Sequence, residues 1–106
     1  MRYDPSDEIF SGRSQRPMVN IACEARLATG QWRRTRISDL TCEGFRLHTS
    51  EAVENNALIY VRLAGLETLR AQVRWIRRPQ IGCQFEQKLS VYVYEHIMRS
   101  HWSVQA

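Results

Sequence analysis

Apolar and polar positions alternate with period two along most of the chain. From Met18 to Leu27, Val19, Ile21, Cys23, Ala25 and Leu27 fall on one side and Asn20, Glu24 and Arg26 on the other, which predicts a half-buried strand. Thr29-Gly30 marks a turn, and Gln31 to Ile37 returns as a second strand thick with Arg33, Arg34 and Arg36. Asp39 to Gly44 breaks the alternation with small and polar residues, and Phe45-Arg46-Leu47-His48 resumes it as a short third strand. Ser50 to Asn56 is polar and ends on an Asn55-Asn56 turn signal; Ala57 to Leu63 is strongly apolar. After a turn around Gly65, Leu69, Ala71, Val73 and Trp75 share one side, opposite Arg70, Gln72 and Arg74. Pro79 interrupts, and Ile81 to Phe85 reads as the last strand. Short strands joined by tight turns predict a mainly β fold, a six-stranded antiparallel barrel, because closure removes unpaired edges. Val19, Ile21, Val73 and Phe85 are expected in its core.

The period then changes. Ser90 is placed to cap a C-terminal helix over about 89–100. Leu89, Tyr92, Val93, His96 and Ile97 make a stripe expected to pack on the barrel. Val91, Tyr94, Met98 and Trp102 make a second apolar stripe on the other side, which predicts a covering partner, such as a second copy in a homodimer.

A length of 106 residues supports one domain: a flexible N-terminal arm over 1–15 and a single barrel domain with its helix over 16–106. No apolar run approaches the ~20 residues of a membrane span. Met1 to Ser11 is polar and acidic rather than a secretory leader, so a cytoplasmic location is expected. Cys23, Cys42 and Cys83 are odd in number and widely spaced, a poor match to a disulfide framework or a zinc site, and read as small core residues. His96 and His101 are five apart, off a common helical face, so no metal is expected. Nor is any cofactor.

Charge adds more. The formal net charge is +4, and arginine supplies 14 of the 15 basic residues. A guanidinium offers a flat donor fork that pairs with phosphate and stacks on rings. There is no nucleophile elbow, no glycine-framed carboxylate pair and no Gly-rich phosphate loop, so a binding module rather than an enzyme is expected.

Two segments carry candidate chemistry. Arg13-Ser-Gln-Arg16 precedes the first strand and places two donor forks on the arm, suited to closing over a bulky anion. Asp39-Leu-Thr41-Cys-Glu-Gly44 follows the Arg-rich strand; its spacing predicts a tight turn with side chains directed outward, the Asp free to accept from a base edge and the hydroxyl and backbone donors free to meet a phosphate. Each alone also fits a solvated basic tail or an ordinary Asx-type turn.

In this order the two segments resemble the PilZ domain family of bacterial cyclic di-GMP receptors, which carries an RxxxR arm before its first strand and a [D/N]xSxxG turn after its second. The turn matches at Asp39 and Gly44, with Thr41 replacing Ser. In the arm, Arg13 and Arg16 are separated by two residues where the family has three. Ala71-Gln-Val-Arg-Trp75 and Ile81-Gly-Cys-Gln-Phe85 resemble the family's closing hairpin, and the likeness runs from about Arg13 to Phe85. It implies cyclic di-GMP as ligand, bound by Arg13, Arg16, Asp39, Thr41 and Gly44, with a protein partner reading the bound state in motility, adhesion or envelope polysaccharide. Two other readings stay open: a PilZ-like adaptor that binds protein without cyclic di-GMP, and a small nucleic-acid-binding barrel. The last lacks aromatic–basic interleaving along a single strand, so nucleic acid is not the expected partner.

Overall fold

A computed structural model describes residues 19–105, with side chains described as far as Ser100. The arm, including Arg13 and Arg16, lies outside the described residues. The elements are β1 (Ile21–Leu27), β2 (Arg33–Leu40), β3 (Gly44–His48), β4 (Leu58–Arg62), β5 (Leu69–Arg77), β6 (Gln80–Phe85) and α1 (Val91–Gln105). The strands close into a barrel in the order β1-β2-β3-β6-β5-β4, every neighbouring pair antiparallel. β1 and β6 therefore stand diametrically opposite each other.

Alternation builds the core as expected. Ile21, Ile37, Phe45, Val61, Ala71, Val73 and Cys83 are fully buried, and the Phe45 and Phe85 rings meet at 5.0 Å between centroids. Val19 is only half-buried, packed against the core's edge. Cys23 and Cys83 are core residues; burial, helped by neighbouring Glu24, pushes the Cys23 thiol up to about 12, and burial alone raises that of Cys83 further. Asn56 and Gly65 take positive φ (71° and 80°) in the turns flanking β4, in line with the turn signals at those positions.

The alternation fails at two bulges. One lies between Ile37 and Asp39 in β2, so Ile37, Ser38, Asp39 and Leu40 are all buried in succession. β2 therefore runs on to Leu40, and Asp39 ends a strand rather than opening a turn. The second lies between Val73 and Trp75 in β5. Val73 pairs with inward Cys83 but Trp75 with outward Gly82, so Trp75 leaves the side it was expected to share with Leu69, Ala71 and Val73.

α1 begins at the cap the sequence predicts. The Val93 amide donates to Ser90 Oγ at 3.1 Å, and the Tyr94 amide to Ser90 O at 3.0 Å. Leu89, just ahead of α1, and Ile97 within it are buried in the core cluster, with Val93, Tyr94 and Met98 partly buried against it. The buried stripe is thus rotated from the expected one: Tyr92 is 84% exposed and His96 exposed, whereas Tyr94 and Met98 face the barrel. The cause is the helix's starting angle, fixed by the Ser90 cap and by the Leu89 amide bonded to Cys42 O at 2.9 Å. The second apolar stripe therefore does not form a free face; the Trp102 side chain lies outside those described. No described helix is long and apolar enough to cross a membrane.

Candidate ligand-binding face

Strand register assembles one outward row across four strands. Asp39 of β2 pairs with Arg46 of β3, Arg46 with Gly82 of β6, and Gly82 with Trp75 of β5. The β2 bulge returns Asp39 to the outward side after Ser38, and the β5 bulge does the same for Trp75. Gly82 makes the row flat: a Cβ there would sit 2.1 Å from the Trp75 indole, so only glycine lets the ring lie against the sheet. Arg46 Nη2 stands 3.8 Å from Asp39 Oδ2, and its guanidinium lies 5.8 Å from the Trp75 ring centre. Arg77 approaches the same ring at 5.3 Å. An indole plate with two guanidiniums and a carboxylate along one line can stack a flat aromatic group and meet both its hydrogen-bonding edge and a nearby anion.

The turn at the row's end is locked from within. The Thr41 amide donates to Gly44 O at 2.9 Å, and Thr41 Oγ1 accepts from the amides of Glu43 and Gly44, both at 3.2 Å. The hydroxyl that the sequence offers to a phosphate thus holds the turn in shape. Asp39, expected to project freely from that turn, is 5% exposed because it ends β2 beside Arg46. The structure brings Asp39, Thr41 and Gly44 together; Arg13 and Arg16 fall outside the described residues. The turn is also joined to the helix entrance. The Phe85 amide donates to Glu43 O at 2.8 Å, that of Leu89 to Cys42 O at 2.9 Å, and Lys88 pairs with Glu43 at 3.7 Å.

Arg46, Trp75 and Gly82 were not found as a site from the sequence. The available signal was Gly82 itself, a glycine inside an alternating strand, which marks close approach by another group. Naming that group as Trp75 required the register shift.

A cavity of about 290 Å³ lies away from this row, at the barrel end opposite α1, between Ala25, Leu47 and Ile59 and a rim of Arg33, Thr49 and Glu51. At that end Arg33 pairs with Glu51, and Thr35 Oγ1 donates to His48 O. Burial, then the charges of Arg36 and Arg46, hold the His48 imidazole below its usual value.

Comparison with known proteins agrees with this architecture. A family model described as PilZ domain matches residues 12–100. Among solved structures, the PilZ domain of CeSA from a cellulose-synthesizing bacterium superposes with a TM-score of 0.59 at 16% identity, covering 88% of this chain and all of that one (100%). At that identity the likeness concerns the fold. Curated protein sequences returned no match.

Proposed function

The chain belongs to the PilZ domain family, and on that premise we propose that it is a cyclic di-GMP receptor and adaptor, a binding module rather than an enzyme. The observation that carries the reading is the outward Asp39–Arg46–Gly82–Trp75 row beside the locked Thr41–Gly44 turn. The Trp75 plate suits a guanine face. Arg46 and Arg77 supply forked donors to phosphate or to the guanine oxygen and nitrogen, and Asp39 orients Arg46 and accepts from a guanine N–H edge. Arg13 and Arg16, by the family's pattern, close on phosphate and guanine from the arm. The Leu89–Cys42 bond and the Lys88–Glu43 ion pair, just ahead of the helix, give binding a route to the rest of the surface, where a protein partner reads it. The setting is the bacterial cytoplasm, and the outputs are those the family implies: motility, adhesion or envelope polysaccharide.

Calorimetric titration with cyclic di-GMP tests this. Saturable heat is expected, and Arg13→Ala, Arg16→Ala and Asp39→Ala should each weaken binding about ten-fold or more, at ~1.4 kcal/mol per decade. A folded wild-type chain giving neither heat nor chemical-shift change at high micromolar ligand sinks the receptor reading.

The two-residue gap between Arg13 and Arg16 favours a second reading, a PilZ adaptor that engages protein alone. Inserting one residue between these arginines separates the two. Binding that appears only on insertion assigns the wild type to the protein-only class.

A further inference from the structure

The side of the barrel centred on β1, the strand opposite β6, carries a different arrangement. There the register sets Glu24 of β1 between Arg34 of β2 and Arg62 of β4, and Arg26 of β1 beside Tyr60 of β4. The side chains interleave across strands. The Arg26 guanidinium lies 4.5 Å from the Tyr60 ring centre and 5.3 Å from that of Trp32, and Arg62 lies 3.9 Å from Trp32. Tyr60, Arg26, Trp32 and Arg62 form a ladder of alternating ring and guanidinium. Arg26 is anchored further by donating to the carbonyls of Leu27 (3.3 Å) and Ala28 (3.0 Å), both through Nη1, which leaves its other N–H groups for an outside acceptor. Arg34 and Arg36 are exposed on the same side, and no described carboxylate pairs with them. The carboxylate within the ladder is Glu24, held by Arg62 Nε and Nη2 at 3.0 and 2.9 Å.

We propose that this β2–β1–β4 face is the docking surface for the protein partner, and that the partner presents an acidic segment. The proposal rests on the adaptor part of the reading above and not on cyclic di-GMP binding. Three observations select the occupant. Among the described residues, Arg26, Arg34, Arg36 and Arg62 face outward against the one carboxylate of Glu24, so the complement is anionic. Trp, Tyr and Arg are the residue types that concentrate binding energy at the centres of protein interfaces, and here they are pre-ordered by stacking, which lowers the entropy lost on docking. A carboxylate can bind without opening the ladder, through the N–H groups that no described residue holds, those of Arg26 beyond Nη1 and of Arg62 beyond Nε and Nη2. β1 lies opposite β6 in the barrel order, so the centres of the two sites, the ladder on β1 and Gly82 on β6, are on different sides, while both sites reach onto β2 through Asp39 and through Arg34 and Arg36.

The test is an NMR titration of the isotope-labelled chain with a synthetic peptide of Glu and Asp residues. Saturable shifts are expected at the Trp32 indole N–H and the amides of β1 and β4, with the Trp75 indole unmoved. The double variant Arg26→Ala/Arg62→Ala should weaken the peptide at least ten-fold. Arg26→Lys/Arg62→Lys keeps the charge but loses the stacked fork, and should weaken it several-fold. Glu24→Gln should tighten it by removing the repelling charge. Absence of saturable shifts, indifference to the Ala pair, or tighter binding of oligothymidylate at the same face overturns the proposal. Cyclic di-GMP added to the same sample reports at Trp75 instead, so failure of the receptor reading and failure of this one leave different signatures.

Discussion

On the β3–β6–β5 side of the barrel, tryptophan and arginine are built into the sheet. Trp75 lies in a gap that only Gly82 leaves open, and Arg46 is tied to the buried end of β2 through Asp39. On the β2–β1–β4 side, the same residue types are mounted on the sheet: the ion pair joining Arg62 to Glu24 has side chains 44% and 41% exposed, against 28% and 8% for Arg46 and Asp39. Ion pairs and cation–π contacts strengthen as water is removed and are screened when it is not. The first face should therefore couple binding to folding, so that damage there is felt in stability. The second should be changeable at little cost to the fold, as the proposed docking role requires.

The strongest way to break that contrast is Gly82→Ala. The added methyl meets the indole at 2.1 Å, and the atoms it meets belong to a ring rather than to a flexible chain end. Lifting Trp75 off the sheet should cost about 2 kcal/mol, lowering the melting temperature by roughly 10 °C. The Trp75 indole resonance should move, and cyclic di-GMP binding should weaken in the fraction still folded. Unchanged melting would show that the ring has room to slide and that the face is not built in.

Asp39→Ala comes next. A carboxylate at the surface of a turn would be removable without structural cost, but Asp39 is 5% exposed beside Arg46, so its loss should destabilise by about 1–3 kcal/mol. Asp39→Asn, which keeps the size and one acceptor, should cost less. Urea unfolding midpoints check both, and any binding loss in Asp39→Ala has to be read against the folded fraction.

These two residues also show where sequence reasoning stops. Wherever one residue on a strand faces one on its neighbour, period-two alternation identifies the inward set, as at Ile21, Cys23 and Ala25 in β1 or Ala71 and Val73 in β5. A bulge adds a residue to one strand only, and nothing in the local pattern of Ile37-Ser38-Asp39-Leu40 or Val73-Arg74-Trp75 announces it, because the cause is the partner strand's register. Asp39, Thr41 and Gly44 were legible as a motif, since turn chemistry is local. The Asp39–Arg46–Gly82–Trp75 row and the Arg26 ladder were not, because each is made by residues from separate strands meeting side by side. For the helix, Ser90 identified the start, but the side turned to the barrel depended on how Leu89 is tethered to Cys42.

On the mounted face the expected effects are smaller. Arg26→Ala removes two ring contacts at a partly exposed site and should cost no more than about 1 kcal/mol, leaving cyclic di-GMP affinity unchanged. Thermal melting beside a binding isotherm measures both. A loss as large as that of Gly82→Ala would mean the ladder is part of the fold, and the distinction between the faces would fall.

The smallest effect sharpens the comparison most, because His48 feels both faces. It ends β3, and its imidazole is held below the usual 6.5 by burial first, then by Arg36 of the mounted face and Arg46 of the built-in one. Its Nε2 lies 3.1 Å from Gln80 Nε2, so the neutral ring accepts from the amide, whereas protonation would set two donors against each other. With the folded value lowered, the unfolded chain binds more protons between the two values. The stability contributed by neutral His48 is therefore full above about 6.5, falls as pH drops from there through the folded value, and changes no further below it. An NMR titration of the ring should place its midpoint below 6.5. Arg36→Gln should raise that midpoint, and by more than Arg46→Gln, following the order of the two charges. A saturating acidic peptide should raise it as well, by neutralising Arg36, whereas cyclic di-GMP should act through Arg46. If Arg36→Gln leaves the midpoint in place while Arg46→Gln moves it, the mounted face does not reach His48, and the two sides of the barrel are electrostatically separate.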